Sequence, residues 1–127
     1  MPHLTVHLHE EELDGTAEAR LIRTLADAMA AVYGEWARAA AVVELFGVPR
    51  RRWGRGGVAG ADHAPVVTLN MRERALNLPE VPDAPARLIE AVTDALTGVF
   101  GEGVRERVAV LVVGVPEGRS GVAGQPV

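Results

Sequence analysis

The sequence predicts an α+β fold: two repeated β-α-β units forming a four-stranded mixed sheet with two helices on one face. Three observations predict it. Residues 20–57 lie over residues 87–124 without a gap at a constant offset of 67, and 16 of 38 positions are identical. A match that long marks an internal duplication, although two copies are too few for a solenoid. Within each copy the apolar period changes from two to 3.6 and then to a continuous run, the order strand, helix, strand. A β-α-β crossover makes its two strands parallel and is nearly always right-handed. At 127 residues the chain is expected to be one domain, 1–127, with repeats at about 2–58 and 65–125.

The elements follow in order. LTVHLH at 4–9 and VVTLNM at 66–71 alternate at period two, as half-buried strands do. The first helix puts Leu21, Ile22, Leu25, Met29 and Val32 on one stripe, with Thr16 as its N-cap and Gly34 as its left-handed stop. The second repeats that stripe with Leu88, Ile89, Val92, Leu96 and Val99, and stops at Gly101. AVVELFGV at 41–48 and VAVLVVGV at 108–115 are apolar runs of the kind found in strands covered on both faces. With both helices on one side, the other face of the sheet carries His3, Thr5, His7 and His9 from one copy. The second copy adds Val66, Thr68, Asn70 and Arg72, and the apolar strands add their own side chains. A half-apolar face without a helix to cover it is expected to meet a partner subunit.

Composition removes whole classes of function. A net charge of −4 gives no basic face for nucleic acid. No 18-residue apolar run exists, and Glu10, Glu11 and Glu12 interrupt the N-terminal region early. The expectation is therefore no membrane span, no signal peptide and a cytoplasmic protein. There is no cysteine, and all 13 basic residues are arginine. Thiol nucleophiles, thiolate metal sites, Schiff-base lysines and pyridoxal-phosphate anchors are excluded. The single serine, Ser120 in GRSGV, lacks the closing glycine of a nucleophile elbow. No glycine run follows the Walker or dinucleotide patterns. The basic run from Arg50 to Arg55 reads as a solvated loop face. His7-x-His9, with His3 on the same side, offers imidazoles without a placed third ligand type, so an interface or polar pocket is expected and no metal.

Met-Pro at the start, the duplicated unit, and the turn RWGRGG at 52–57 with its second copy RSGVAG at 119–124 stand together. In this the chain resembles the tautomerase superfamily, typified by 4-oxalocrotonate tautomerase, over essentially its whole length. Its duplication resembles the fused-pair members. The resemblance implies a tautomerase-like fold, a homotrimer, no cofactor, and catalysis by Pro2 once Met1 is removed. The physics is sound: desolvation and nearby arginines disfavour the ammonium form of a secondary amine and can poise it near neutrality. Such an amine can lift a proton α to a carbonyl and return it elsewhere.

The arginines that bind the substrate carboxylate in the tautomerase do not carry over. Val42 and Ala109 occupy the strand-start position, and the strand-end position falls near Leu13 and Ala75. NMRER at 70–74 instead supplies Arg72 and Arg74, where the family's decarboxylase and one dehalogenase resemble it. Period two puts both on one strand face, where two guanidinium forks can grip a carboxylate; the other reading is a solvated strand end paired with Glu73 or Glu80. Trp53 holds the turn's aromatic position, which the resemblance makes a wall of the site, or else it packs between subunits. Arg119 and Ser120 are the second-copy counterparts at the rim. For the carboxylate that decarboxylase or dehalogenase chemistry needs, the chain offers Glu35 and Glu44. The expected function is a cofactor-independent tautomerase acting on a small enolisable 2-oxo or 2-hydroxy-dienoate acid. The alternatives are a decarboxylase, hydratase or dehalogenase with protonated Pro2 as acid, and a non-catalytic oligomeric binding protein.

Overall fold

The computed structural model describes residues 1–61 and 65–127. The first unit runs β1 (His3–His9), α1 (Ala17–Tyr33), a short α2 (Glu35–Ala40), β2 (Val42–Val48) and a small hairpin of β3 (Gly54–Arg55) and β4 (Val58–Ala59). The second runs β5 (Val66–Arg72), α3 (Ala84–Phe100), β6 (Ala109–Val115) and a hairpin of β7 (Gly121–Val122) and β8 (Gln125–Pro126). The four long strands form one sheet in the order β2-β1-β5-β6. β1 and β2 are parallel, as are β5 and β6, while β1 and β5 meet antiparallel. This is the expected mixed α+β architecture. β1 lies over β5 at an offset of 63, four fewer than in the rest of the unit, so Thr5 pairs with Thr68, its own counterpart, and an internal two-fold axis passes between them.

The core lies between the sheet and the two long helices. Leu4, Val6 and Leu8 of β1 and Val67, Leu69 and Met71 of β5 are buried on that face. They meet Leu21, Leu25, Ala28 and Met29 of α1 and Leu88, Val92, Ala95 and Leu96 of α3. Each large apolar side chain taken from water there contributes about 1.5–3 kcal/mol. The helix stripes are turned from the expected ones. Ile22 and Ile89 are each 41% exposed, and Ala28 and Ala95 take the inward places, where a methyl lets α1 and α3 approach each other.

Two further expectations change. Thr16 makes no side-chain cap. Asp14 does that work, its Oδ1 accepting the backbone N–H of Thr16 (2.9 Å) and of Ala17 (3.0 Å) and the Thr16 hydroxyl (2.8 Å). These bonds hold its carboxyl at a pKa of about 2. The edge strands are covered on one face only: Val42, Phe46, Leu111 and Val113 are 41–51% exposed on the side away from the helices. Their runs read as doubly covered because apolarity reports a face that avoids water without naming what covers it.

Candidate active site

Pro2 is buried immediately before β1, and its carbonyl accepts the Val42 N–H at 3.0 Å. That bond ties the head of β1 to the head of β2. The antiparallel register sets His3 opposite Asn70; continued by one residue, it brings Pro2 level with Met71, and Arg72 lies one step beyond. The end of β5 therefore arrives beside the residue whose amine the sequence singles out.

Arg72 closes β5, and Arg74 lies in the 3-10 turn Glu73–Asn77 that follows. The period-two argument thus stops at Arg72, because the strand does. The turn nonetheless returns Arg74 to its neighbour's side. Both line a cavity of about 60 Å³ with Val115, Pro116, Glu117 and Ser120. Among the described residues no carboxylate lies within ion-pair distance of either arginine. Arg119 is exposed in the turn after β6, its N–H donating to the Pro116 carbonyl at 3.0 Å. Because β6 runs parallel to β5, Arg119 belongs to the same end of the sheet.

Trp53 does not. β2 runs parallel to β1, so the turn after it lies at the end of β1, away from Pro2. There the indole packs against His9, with ring centroids 5.3 Å apart, and lines a shallow groove with His7, Val48, Arg52, Gly54 and Val66. One chain therefore gathers Pro2, Arg72, Arg74 and Arg119 at one end and carries Trp53 to the other.

The remaining candidates have other work. His3 is hydrogen-bonded to Glu44, His7 stacks on Phe46 at 5.2 Å, and His9 is buried. Among the described residues no three His, Cys, Asp or Glu side chains form a metal cluster, and no helix is long and apolar enough to cross a membrane. Glu35 is paired with Arg38.

Two residues at the site were missed in the sequence. Glu117 places a carboxylate in the cavity with Arg72 and Arg74; only its place directly after the shared Gly-Val-Pro motif pointed there. Tyr33 ends α1, and its hydroxyl donates to the Ala75 carbonyl at 2.9 Å. Burial pushes its phenol pKa up, with Arg87 opposing, so the hydroxyl keeps its proton as a donor. The repeat supplies a counterpart to this end: Pro65 is also buried, and its carbonyl accepts the Ala109 N–H at 3.1 Å. Leu8, His9, Glu12, Phe100, Val104 and Arg107 surround it.

No protein-family model matches the sequence, and no curated protein does. Solved structures do match. A fused 4-OT in an asymmetric trimer superposes with a TM-score of 0.83 at 21% identity, covering 98% of this chain and 95% of that one. Pt0534 inactivated by 2-oxo-3-pentynoate gives 0.78 at 19%, covering 97% and 93%. A member of the cis-3-chloroacrylic acid dehalogenase family gives 0.77 at 15%, covering 99% and 83%. The fold is thus the fused 4-OT fold, across nearly the whole chain. That is the fold the Met-Pro start, the duplication and the two glycine turns implied.

Proposed function

We propose that the chain is a single tautomerase-like domain, a cofactor-independent isomerase in which the freed Pro2 amine acts as general base on a small enolisable 2-oxo or 2-hydroxy-dienoate acid. The observation that supports this reading is the register that brings buried Pro2 level with Met71, one residue from Arg72, at the sheet end that also carries Arg74. The arginines hold the substrate carboxylate. Their charge and the burial of Pro2 both disfavour the ammonium form, which leaves the amine free to take a proton α to the carbonyl. The same amine then delivers that proton to another carbon of the dienolate so formed. From a 2-hydroxy-dienoate or an enol it takes the hydroxyl proton instead and delivers it to carbon, and no group is gained or lost. Arg119 stands at the rim. Trp53 serves as a wall only for the site of a neighbouring subunit, which agrees with a homotrimer built on the open sheet face; the fused 4-OT neighbour is itself a trimer.

Intact mass tests the first requirement, since the active protein should lack Met1. Pro2→Ala should lose roughly 10²–10⁴-fold in activity on an enolisable acid such as phenylenolpyruvate. Incubation with 2-oxo-3-pentynoate should add its mass at Pro2. Full activity with Met1 retained removes the mechanism.

Glu117 favours a second reading. A carboxylate on the wall of the cavity that two arginines line suits activation of water, with protonated Pro2 as the acid, as a hydratase or dehalogenase requires. The pH–rate profile separates the two. A base mechanism gains activity as pH rises through the amine's pKa, and an acid mechanism loses it.

A further inference from the structure

We infer that Tyr33 is a positioning residue for the paired arginines, its hydroxyl pinning the turn that carries Arg74 and adjoins Arg72; the inference rests on the carboxylate-clamp reading of that site. The Tyr33 hydroxyl crosses 42 residues of sequence to reach the Ala75 carbonyl at 2.9 Å. Ala75 sits in the middle of the turn Glu73–Asn77. Within the turn, Asn77 Nδ2 donates to the Glu73 carbonyl at 2.9 Å, a bond that shapes the turn without fixing it to the rest of the protein. Ala75 and Leu76 are only partly buried against the core. Tyr33 thus supplies a directional link from the end of α1 to the Ala75–Leu76 peptide, one residue beyond Arg74.

The repeat shows that this link is particular to one copy. Phe100 is the counterpart of Tyr33 and has no hydroxyl, and Glu12 is the counterpart of Ala75. Phe100 and Glu12 line the cavity around Pro65, where no free amine exists. Applied across the internal two-fold axis, the same arrangement sets Tyr33 and Ala75 around Pro2. The hydroxyl therefore occurs in the copy where the arginines and the amine must be held in register. A bidentate grip on a carboxylate tolerates only about 0.5 Å of displacement, so a loosened turn weakens binding before it slows chemistry.

The test compares the full chain with Tyr33→Phe, and with Phe100→Tyr as the control in the other copy. Two readouts are needed: steady-state kinetics on an enolisable acid, and amide hydrogen exchange across 73–77. Tyr33→Phe should raise KM by about 3- to 10-fold, the effect of one lost neutral hydrogen bond, with kcat within about twofold and the pH profile unmoved. Exchange at 73–77 should quicken. Phe100→Tyr should change neither. Faster exchange with unchanged KM makes Tyr33 a merely structural tether and overturns positioning. Raised KM with unchanged exchange overturns it also, because the effect then bypasses the turn. A wild-type chain that neither turns over nor binds a 2-oxo acid sinks the clamp reading separately. The tether is then judged by exchange alone, which keeps it if faster in Tyr33→Phe and removes it if unchanged.

Discussion

Arg72 and Arg74 act as single residues in a shared space, and their removal has a double signature. If the two hold a substrate carboxylate as proposed, replacing either by Ala leaves it poorly paired, at a cost on the order of 1.5–3 kcal/mol, or about 10- to 100-fold in kcat/KM. On the same proposal, losing one of these cations also makes the Pro2 amine's proton easier to hold. The acidic limb of the pH–rate profile should move upward, and a solvated strand end predicts neither change. Asp14 gives a second residue-scale prediction, on stability. Its folded pKa of about 2 lies below the ordinary 3.8 because the N–H groups of Thr16 and Ala17 bind its charged form. Its contribution is complete above about pH 4 and is lost as pH falls toward 2. Asp14→Ala should lower Tm at neutral pH, with the gap to wild type closing across that acid window in a melting series. Both Asp14 and Thr16 suit the capping role by residue type, so the sequence alone does not separate them. Which one turns its oxygen inward depends on the chain's approach through Gly15, which has φ +92°.

Gly34 and Gly101 govern how each unit turns from helix to second strand. Their φ values of 101° and 97° come with ψ of −176° and 160°, backbone that glycine alone adopts freely. A Cβ at either would meet nothing within 4 Å. Gly34→Ala and Gly101→Ala should therefore each cost about 1–3 kcal/mol in urea unfolding through backbone strain alone. A loss below a few tenths of a kcal/mol would contradict this. After each glycine the same ion triad recurs. Arg38 reaches Asp27 at 2.9 Å and pairs with Glu35, and Arg105 reaches Asp94 at 2.9 Å and Glu102 at 2.5 Å. At this scale the sequence was most legible: all four long strands, both long helices and both stopping glycines stand where periodicity put them. Arg74 was not, since period two has no means of saying that β5 ends at Arg72. The opposite placement of Trp53 was equally hidden, because strand direction within the sheet is a tertiary fact.

For the whole molecule, the open face of the sheet is the surface on which the proposed homotrimer would close. Val42 and Phe46 at one edge and Leu111 and Val113 at the other stay in water in a lone chain. Burying them is worth roughly 25 cal/mol per Å² of apolar surface. Phe46→Asp with Leu111→Asp should turn the proposed trimer into a folded monomer in sedimentation equilibrium at micromolar concentration. A double variant that remains trimeric would move the interface elsewhere. The axis between Thr5 and Thr68 has one more consequence. Two separate copies of a short unit, meeting across such an axis, would carry every substitution twice, once on each side. Joined in one polypeptide, the halves are released from that obligation. One side holds Arg72, Ala75 and Ala40 where the other holds His9, Glu12 and Arg107, and a change suited to one end of the sheet need not be endured at the other.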